Sequence, residues 1–341
     1  MKKKIITIHD IARKLNINAS TVSRALNNNS RISRETRELV KKTAEQMNYK
    51  PNIIASALRK GRSNTIGLVV PRINRFFFAD TISGIESVTN PAGYNLIICQ
   101  SNESLKKEVE NINTLIENRV DGIIISVSGE TKTSDHLLKV MEQHIPLLQF
   151  DRVLNDLEVS KVVNDNFNGA YEAVNHLISQ GFRTVSHIAG PLHINIYNER
   201  FEGYKKALND NGLEYDNDLI FKGILTYQFG RECAEKIVKL DKRPDAVFCA
   251  GDFAALGVLE YLKENNFSVP GDYAIMGFAN EQFTQYTEPS ISTLDQFAFE
   301  IGSVSARIIL DEINSEIKTN VTKSISVKPK LIIRKSSIKQ Q

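Results

Sequence analysis

Short catalytic signatures are missing from this 341-residue chain. It carries no Gly-x-Gly-x-x-Gly, no phosphate-cradling P-loop, no Gly-x-Ser-x-Gly elbow and no His-Glu-x-x-His pair, so enzymatic function is not expected. Its six histidines (His9, His136, His144, His176, His187, His193) show no metal-ligand spacing, and neither a metal nor a cofactor is anticipated. Three cysteines, Cys99, Cys233 and Cys249, are odd in number and far apart, which excludes a disulfide framework and fits a reducing cytoplasm. No apolar run approaches the ~18 residues of a membrane span. The opening Met1-Lys-Lys-Lys lacks the apolar stretch of a secretion signal, because His9, Asp10, Arg13 and Lys14 interrupt it. Hydrophobic content of 41% with 24% charge describes a folded globular chain.

What is present is an uneven charge. Residues 1–61 hold fourteen Lys or Arg against Asp10, Glu35, Glu38 and Glu45, a balance of +10, whereas the whole chain is +3. Residues 62–341 therefore total −7, being 3 minus 10. One end is built to meet a polyanion, since affinity for a phosphate backbone comes mainly from counterions released by Lys and Arg.

The basic end is patterned. Thr7 with Asp10 three residues on has capping-box spacing, and Ile8, Ile11, Ala12 and Leu15 share one helical face. Asn16 and Asn18 break that helix. A second runs from Ala19 to Leu26, with Val22, Ala25 and Leu26 inward and Ala19, Ser20, Ser23 and Arg24 on or near the other side. A third, from a Ser33 cap to about Met47, is expected to bury Leu39, Val40, Ala44 and Met47. Two short helices with a tight turn, the second presenting small polar groups and one Arg, suit major-groove entry.

Three segments, Thr21-Val-Ser-Arg-Ala-Leu-Asn27, Asn48-Tyr-Lys-Pro-Asn52 with Ala55 and Leu58, and Thr65-Ile-Gly-Leu-Val-Val-Pro71, together resemble the lactose-repressor/galactose-repressor (LacI/GalR) family of transcription factors. The resemblance runs along nearly the full chain. It implies an all-α helix-turn-helix headpiece at residues 1–50, a hinge helix and linker at 51–62, and an α/β two-lobed effector domain of the type I periplasmic-binding-protein kind at 63–341. It also implies a homodimer on palindromic operator DNA, most often as a repressor. Ala19, Ser20 and Arg24 would reach base edges, Arg24 because its fork matches guanine O6 and N7; phosphate is an equal alternative for Ser20. Thr21, Ser23 and Asn27 would bond phosphate, and Thr7, Tyr49, Asn52 and Arg59 belong to the same DNA-facing set. Ala55 and Leu58 would pair with a symmetry mate, and Leu58 would wedge into the minor groove, where an apolar side chain opens a flexible base step. The alternative for Leu58 is an ordinary core residue.

Beyond residue 62, strand-like runs (Thr65–Pro71, Tyr94–Gln100, Asp121–Val127, Pro146–Asp151, Thr184–Ala189, Ala246–Ala250, Tyr273–Phe278) alternate with helical stretches, implying parallel sheets covered by helices. Family analogy places the first lobe at 63–162 and 293–322 and the second at 163–290 and 323–341, with ligand in the cleft at the strands' carboxyl ends. By the same resemblance Phe77 and Phe78 would stack on a ring or wall the cleft, Arg200 would bind hydroxyls or carboxylates, and Asp252 would cap a helix or touch ligand. Two familiar polar positions are Gly251 and Ala279 here, and Ile194 and Ile196 replace groups that are often polar. A carbohydrate or related metabolite is the expected effector, bound without a membrane partner. It is less polar than usual, or charged and held by Arg200 and Arg152, or met by Asn166, Asn280, Gln282 and Gln296. Only Lys335–Gln341 follow the last strand-like run, too few for a tetramerising heptad helix. The rival reading is a periplasmic-type sugar-binding protein of a transporter, which shares the two lobes.

Overall fold

The computed structural model describes residues 6–49, 62–315 and 321–339. Two compact units divide the chain at residues 63 and 64. The expected hinge positions Asn52, Ala55, Leu58 and Arg59 lie outside the described residues.

In the first unit, helices α1 (Ile8–Leu15), α2 (Ala19–Leu26) and α3 (Arg34–Gln46) follow one another. The Thr7 amide and hydroxyl both donate to Asp10 Oδ2, at 3.0 and 2.8 Å, and Ser33 Oγ accepts from the Thr36 amide at 3.2 Å, so two orphan helix starts are satisfied by side chains. The first helix ends at Asn16, whose φ of 51° is left-handed backbone that Asn tolerates better than most residues. Ile11, Val22, Ala25 and Val40 are fully buried and Ala44 nearly so. Leu39 corrects an expectation: it is 52% exposed. The inward turn of α3 is taken instead by Val40, Thr43 and Ala44, and Thr43 is buried because its hydroxyl donates to the Leu39 carbonyl at 2.9 Å.

The second unit alternates strand and helix. The strands β1 (Thr65–Val70), β2 (Asn95–Gln100), β3 (Gly122–Ile125), β4 (Leu147–Phe150), β5 (Ser160–Asn164) and β11 (Ser324–Val327) form a sheet ordered β11-β5-β4-β3-β1-β2. All five pairings are parallel. A second parallel sheet runs β7 (Ile220–Lys222), β6 (Val185–Ala189), β8 (Ala246–Cys249), β9 (Ala274–Met276). Central strands such as β3 and β8 are buried along their whole length, as parallel strands covered on both faces must be. Separate apolar clusters lie on the two faces of each sheet. Among the helices are α4 (Phe76–Thr89), α7 (Asn166–Ser179), α8 (Asn195–Asp210), α10 (Asp252–Glu264) and α11 (Ala298–Asn314). Helix α11 lies close against α4. A Cβ at Gly302 would stand 2.1 Å from the Thr81 carbonyl and one at Gly84 2.1 Å from that of Phe299, so only glycine permits this approach at both places.

The lobe boundaries differ from those expected. Ser324–Val327, assigned to the second lobe by analogy, pairs with β5 at the edge of the first sheet. Conversely β10 (Thr293–Asp295), expected in the first lobe, pairs antiparallel with β12 (Lys330–Ile332), and Leu294 joins the core of the second lobe. The chain thus crosses between lobes after Asn164, after Asp295 and after Val327, and packing of Leu294 sets the second crossing. Among the described residues no helix is long and apolar enough to cross a membrane.

The exposure of α3 gives a direct test. Val40→Ala should destabilise the helical unit by about 1–3 kcal/mol, whereas Leu39→Ala should stay within about 0.5 kcal/mol. Hydrogen-exchange protection of the three helices reads both, and equal losses would contradict the packing described.

Candidate functional sites: a helical surface and a cleft

On the helical unit, α2 buries Val22 and Ala25 and leaves Ser20, Arg24 and Asn27 exposed, with Ala19, Thr21 and Ser23 half-buried. Arg24 sits in the last turn of its helix. Asn27 donates its amide to the Ser23 carbonyl at 2.8 Å, which orders it beside that turn. Thr7 is exposed, but its hydroxyl proton is committed to Asp10, so its arrangement here is that of a cap. Tyr49 is half-buried against the three-helix core, and its amide donates to the Ala44 carbonyl at 2.9 Å.

In the body, a cavity of about 190 Å³ lies between the lobes. Of the residues expected to meet a ligand, Phe77, Phe78, Arg152, Arg200, Asp252 and Gln296 line it, and Asn280 does not. The Asn280 amide is turned away, donating to Asp295 Oδ2 at 3.1 Å and accepting from Arg334 at 2.9 Å. Gln296 faces the hinge as well: its amide donates to Asn164 Oδ1 at 3.0 Å, and Asn164 Nδ2 returns a bond to the Gln296 carbonyl at 2.9 Å. Two crossovers are pinned together there. Phe77 and Phe78 are buried, 5.2 Å apart edge-to-face, and belong both to the cavity wall and to the core beneath it.

Arg200, only 3% exposed, is held over the Phe278 ring at 3.6 Å. Its Nε donates to Asn166 Oδ1 at 2.9 Å and its Nη1 to the Ala250 carbonyl at 2.7 Å. Burial lowers its pKa to about 10, still charged at neutral pH. Asp252 does not cap its own helix, whose cap residue is Gly251. Its carboxylate instead accepts from Thr293 Oγ1 at 2.7 Å and from the Glu281 amide at 2.8 Å. The wall at Gly277 is correspondingly tight, since a Cβ there would lie 2.1 Å from Asp252 Oδ1. Burial raises Asp252 to about 6.

Five charged groups of the cleft were absent from the expected set: Arg72, Arg75, Glu103, Asp151 and Glu281. Arg152 donates Nη1 to Glu103 Oε2 at 2.6 Å, and Arg72 Nε reaches Glu103 Oε1 at 3.4 Å. Glu103 also accepts from the Gly129 amide at 2.9 Å. Burial alone would raise Glu103, but Arg152, Gly129 and Arg72 hold it below the usual carboxylate range. Burial works against the Arg152 charge too; Tyr197, Glu103 and Asp151 outweigh it and raise its pKa. Asp151, fully enclosed, is pushed by burial to about 6. Glu281, from the second lobe, is raised to about 7 by burial and by Asp252, with Arg75 and the Phe76 amide of the first lobe pulling the other way. Arg75 lies 3.9 Å over the Phe253 ring. Further polar bonds join the lobes: His193 to the Gly129 carbonyl at 2.7 Å, and the Val153 amide to Asn195 Oδ1 at 3.1 Å. These residues stand on loops distant in sequence, where no periodic pattern marks them.

Comparison with known proteins matches both units of the chain. Residues 63–337 match the family of periplasmic binding proteins and sugar-binding domains of the LacI family, and residues 7–52 match bacterial regulatory proteins of the lacI family. The second match favours a regulator over a transporter's binding protein. The chain is 31% identical over 312 residues to catabolite control protein A of Priestia megaterium, covering 91% of this chain and 93% of that protein. It is 30% identical over 330 residues to the transcriptional repressor PurR of Pasteurella multocida, covering 97% and 98%. Among solved structures, a CelR regulator–cellobiose complex superposes with a TM-score of 0.74 at 27% identity, over 97% of this chain and 99% of that one. A lac repressor dimer bound to operator and an anti-inducer shares the fold, with a TM-score of 0.88 at 21% identity, over 98% and 100%.

The Glu281 environment makes a pH prediction. Its folded pKa of about 7 exceeds the unfolded value, so its ionised form burdens the fold above neutrality, and the burden fades as pH falls toward the unfolded value. Glu281→Gln should therefore stabilise the protein by about 1–2 kcal/mol near pH 8.5 and by nothing near pH 4.5. Urea unfolding at both pH values checks this; a gain independent of pH would contradict it.

Proposed function

The chain belongs to the LacI family of bacterial regulatory proteins, DNA-binding transcriptional regulators with an effector-binding body, and we propose that it acts as a homodimeric repressor on a palindromic operator. The observation that carries this reading is α2, which buries Val22 and Ala25 and leaves Ser20 and Arg24 exposed on the most basic part of the chain. Two such helices enter successive major-groove turns. Arg24 reads guanine; Ala19 and Ser20 lie at the groove floor or its edge; Thr21, Ser23, Asn27 and Tyr49 hold phosphate. Thr7 serves by capping α1. The segment with Asn52, Ala55, Leu58 and Arg59 pairs with its mate at the operator centre, and Leu58 wedges the minor groove.

The effector, a carbohydrate or related metabolite, occupies the interlobe cavity against Phe77, Phe78, Arg152 and Arg200. Closure on it moves the first lobes against one another and changes hinge pairing, which needs only about 1–3 kcal/mol of coupling. The working division is a headpiece to residue 50, a hinge at 51–62, a first lobe of 64–164 and 298–327, and a second lobe of 165–296 and 328–339.

Arg24→Ala tests the reading. On an operator selected from random palindromes, the variant should lose about 1–3 kcal/mol of discrimination against a site changed at the contacted guanine. Equal weakening on both sites would make Arg24 a phosphate contact and remove the claim of base reading.

A further inference from the structure

The hydrogen-bonding capacity of the interlobe cavity is unevenly used. Its four acids are engaged by the protein itself: Glu103 by Arg152, Arg72 and the Gly129 amide, Asp252 by Thr293 and the Glu281 amide, Glu281 by the Phe76 amide, and Asp151 by Ser126 Oγ at 3.4 Å with Arg152 and Arg200 beside it. A neutral polyol, which offers many hydroxyl donors, finds these acceptors occupied. The guanidinium side is committed only in part, although both Nη atoms of Arg152 bond Glu103, at 2.6 and 3.4 Å. Arg152 is 8% exposed and lines the cavity, yet its Nε has no hydrogen-bond partner. A buried donor of that kind is rare in folded proteins.

Backbone polarity points the same way. Helices α4, α8 and α10 begin at Phe76, Asn195 and Asp252, and first-turn residues Phe77, Tyr197 and Phe253 all line the cavity. Their N-terminal amides add positive potential at one place. The volume of about 190 Å³ lies below the usual span for drug-sized ligands, which leaves room for a single ring.

We propose that the cleft takes an anionic metabolite about the size of one sugar ring, whose oxyanion, carboxylate or phosphate, is gripped by Arg152 with Arg72 and Arg75. This deepens the effector reading above and rests on it. Oxyanions suit guanidinium because its planar donors match two oxygens at once.

The test is calorimetry and thermal shift on the full chain with matched probes: glucose, gluconate, glucuronate and glucose 6-phosphate; ribose and ribose 5-phosphate; and inorganic phosphate. At least one anion should bind about tenfold or more tightly than its neutral parent and weaken with added salt. The carboxylate and phosphate arms then identify the head group. Arg152→Gln and Arg72→Gln should each weaken that anion about tenfold; Arg72, 40% exposed at its side chain, keeps the test open if the Arg152 variant misfolds. Neutral sugars binding as well as their anions, or no response to any anion at about 50 mM, would overturn the proposal. A parallel operator-retention assay separates the two claims. A neutral sugar that alters retention refutes the anion and leaves the regulator standing, whereas anion binding by a chain that retains no operator refutes the regulator alone.

Discussion

Charge withdrawn from water between two sheets is the constraint around which the body of this protein is arranged. Arg152 and Arg200 are both buried, and an isolated guanidinium in such a place would cost several kcal/mol unless partners replaced its hydration. Each receives a different solution. Arg152 meets a carboxylate, Glu103, supplied by the loop after β2. Arg200 meets neutral acceptors and an aromatic face. The surrounding geometry follows from meeting those demands: Asn166 at the start of α7 is turned toward Arg200, and the loop of Glu103 is tied to Gly129. The same walls that shield these charges are the walls of the cavity.

Because the cleft is lined by groups from both lobes, its charge state and its closure are linked. Glu281 of the second lobe faces Arg75 and the start of α4 in the first, while His193 and Asn195 reach across to Gly129 and Val153. Each of these pairings exists only when the lobes are together. A ligand that competes with them or adds to them changes the balance between open and closed forms by its difference in affinity for the two. The crossovers allow such motion without tearing a sheet, since the chain passes between lobes at loops where Asn164 and Gln296 hold each other. At the other end of the chain the excess of positive charge suits a polyanion, whose counterions Lys and Arg release.

Much of the fold was legible from pattern. Continuous apolar runs mark the parallel strands, which are covered on both faces, and period-3.6 apolar repeats mark most helices, because a helix buried on one face must repeat its apolar residues with its own geometry. Helix α11 escaped notice since it is apolar around much of its circumference, with Ile301, Ile308 and Ile309 buried among Ser303 and Ser305, and so lacks a clean stripe. Strands β10 and β12, three residues each, are too short for a periodic signal; their pairing across thirty-odd residues is a tertiary fact. Leu39 was misplaced for a related reason: the apolar stripe of α3 admits either Leu39 or Thr43, and neighbours, rather than hydropathy, chose Thr43.

Composition and local spacing determined by themselves that one end is cationic and helical, that it carries a short helix with Arg24 outward, and that the remainder alternates strand and helix. These features are encoded in residues close in sequence, where charge and periodicity act locally. Which side chains share the cleft was decided only by the tertiary structure. Arg72, Glu103, Gly129 and Arg152 meet because parallel strands bring the ends of successive loops to one edge of the sheet. Asn280 was excluded because Arg334 and Asp295 claim its amide first. Such assignments depend on competition among distant partners for the same hydrogen bonds, and that competition has no local trace.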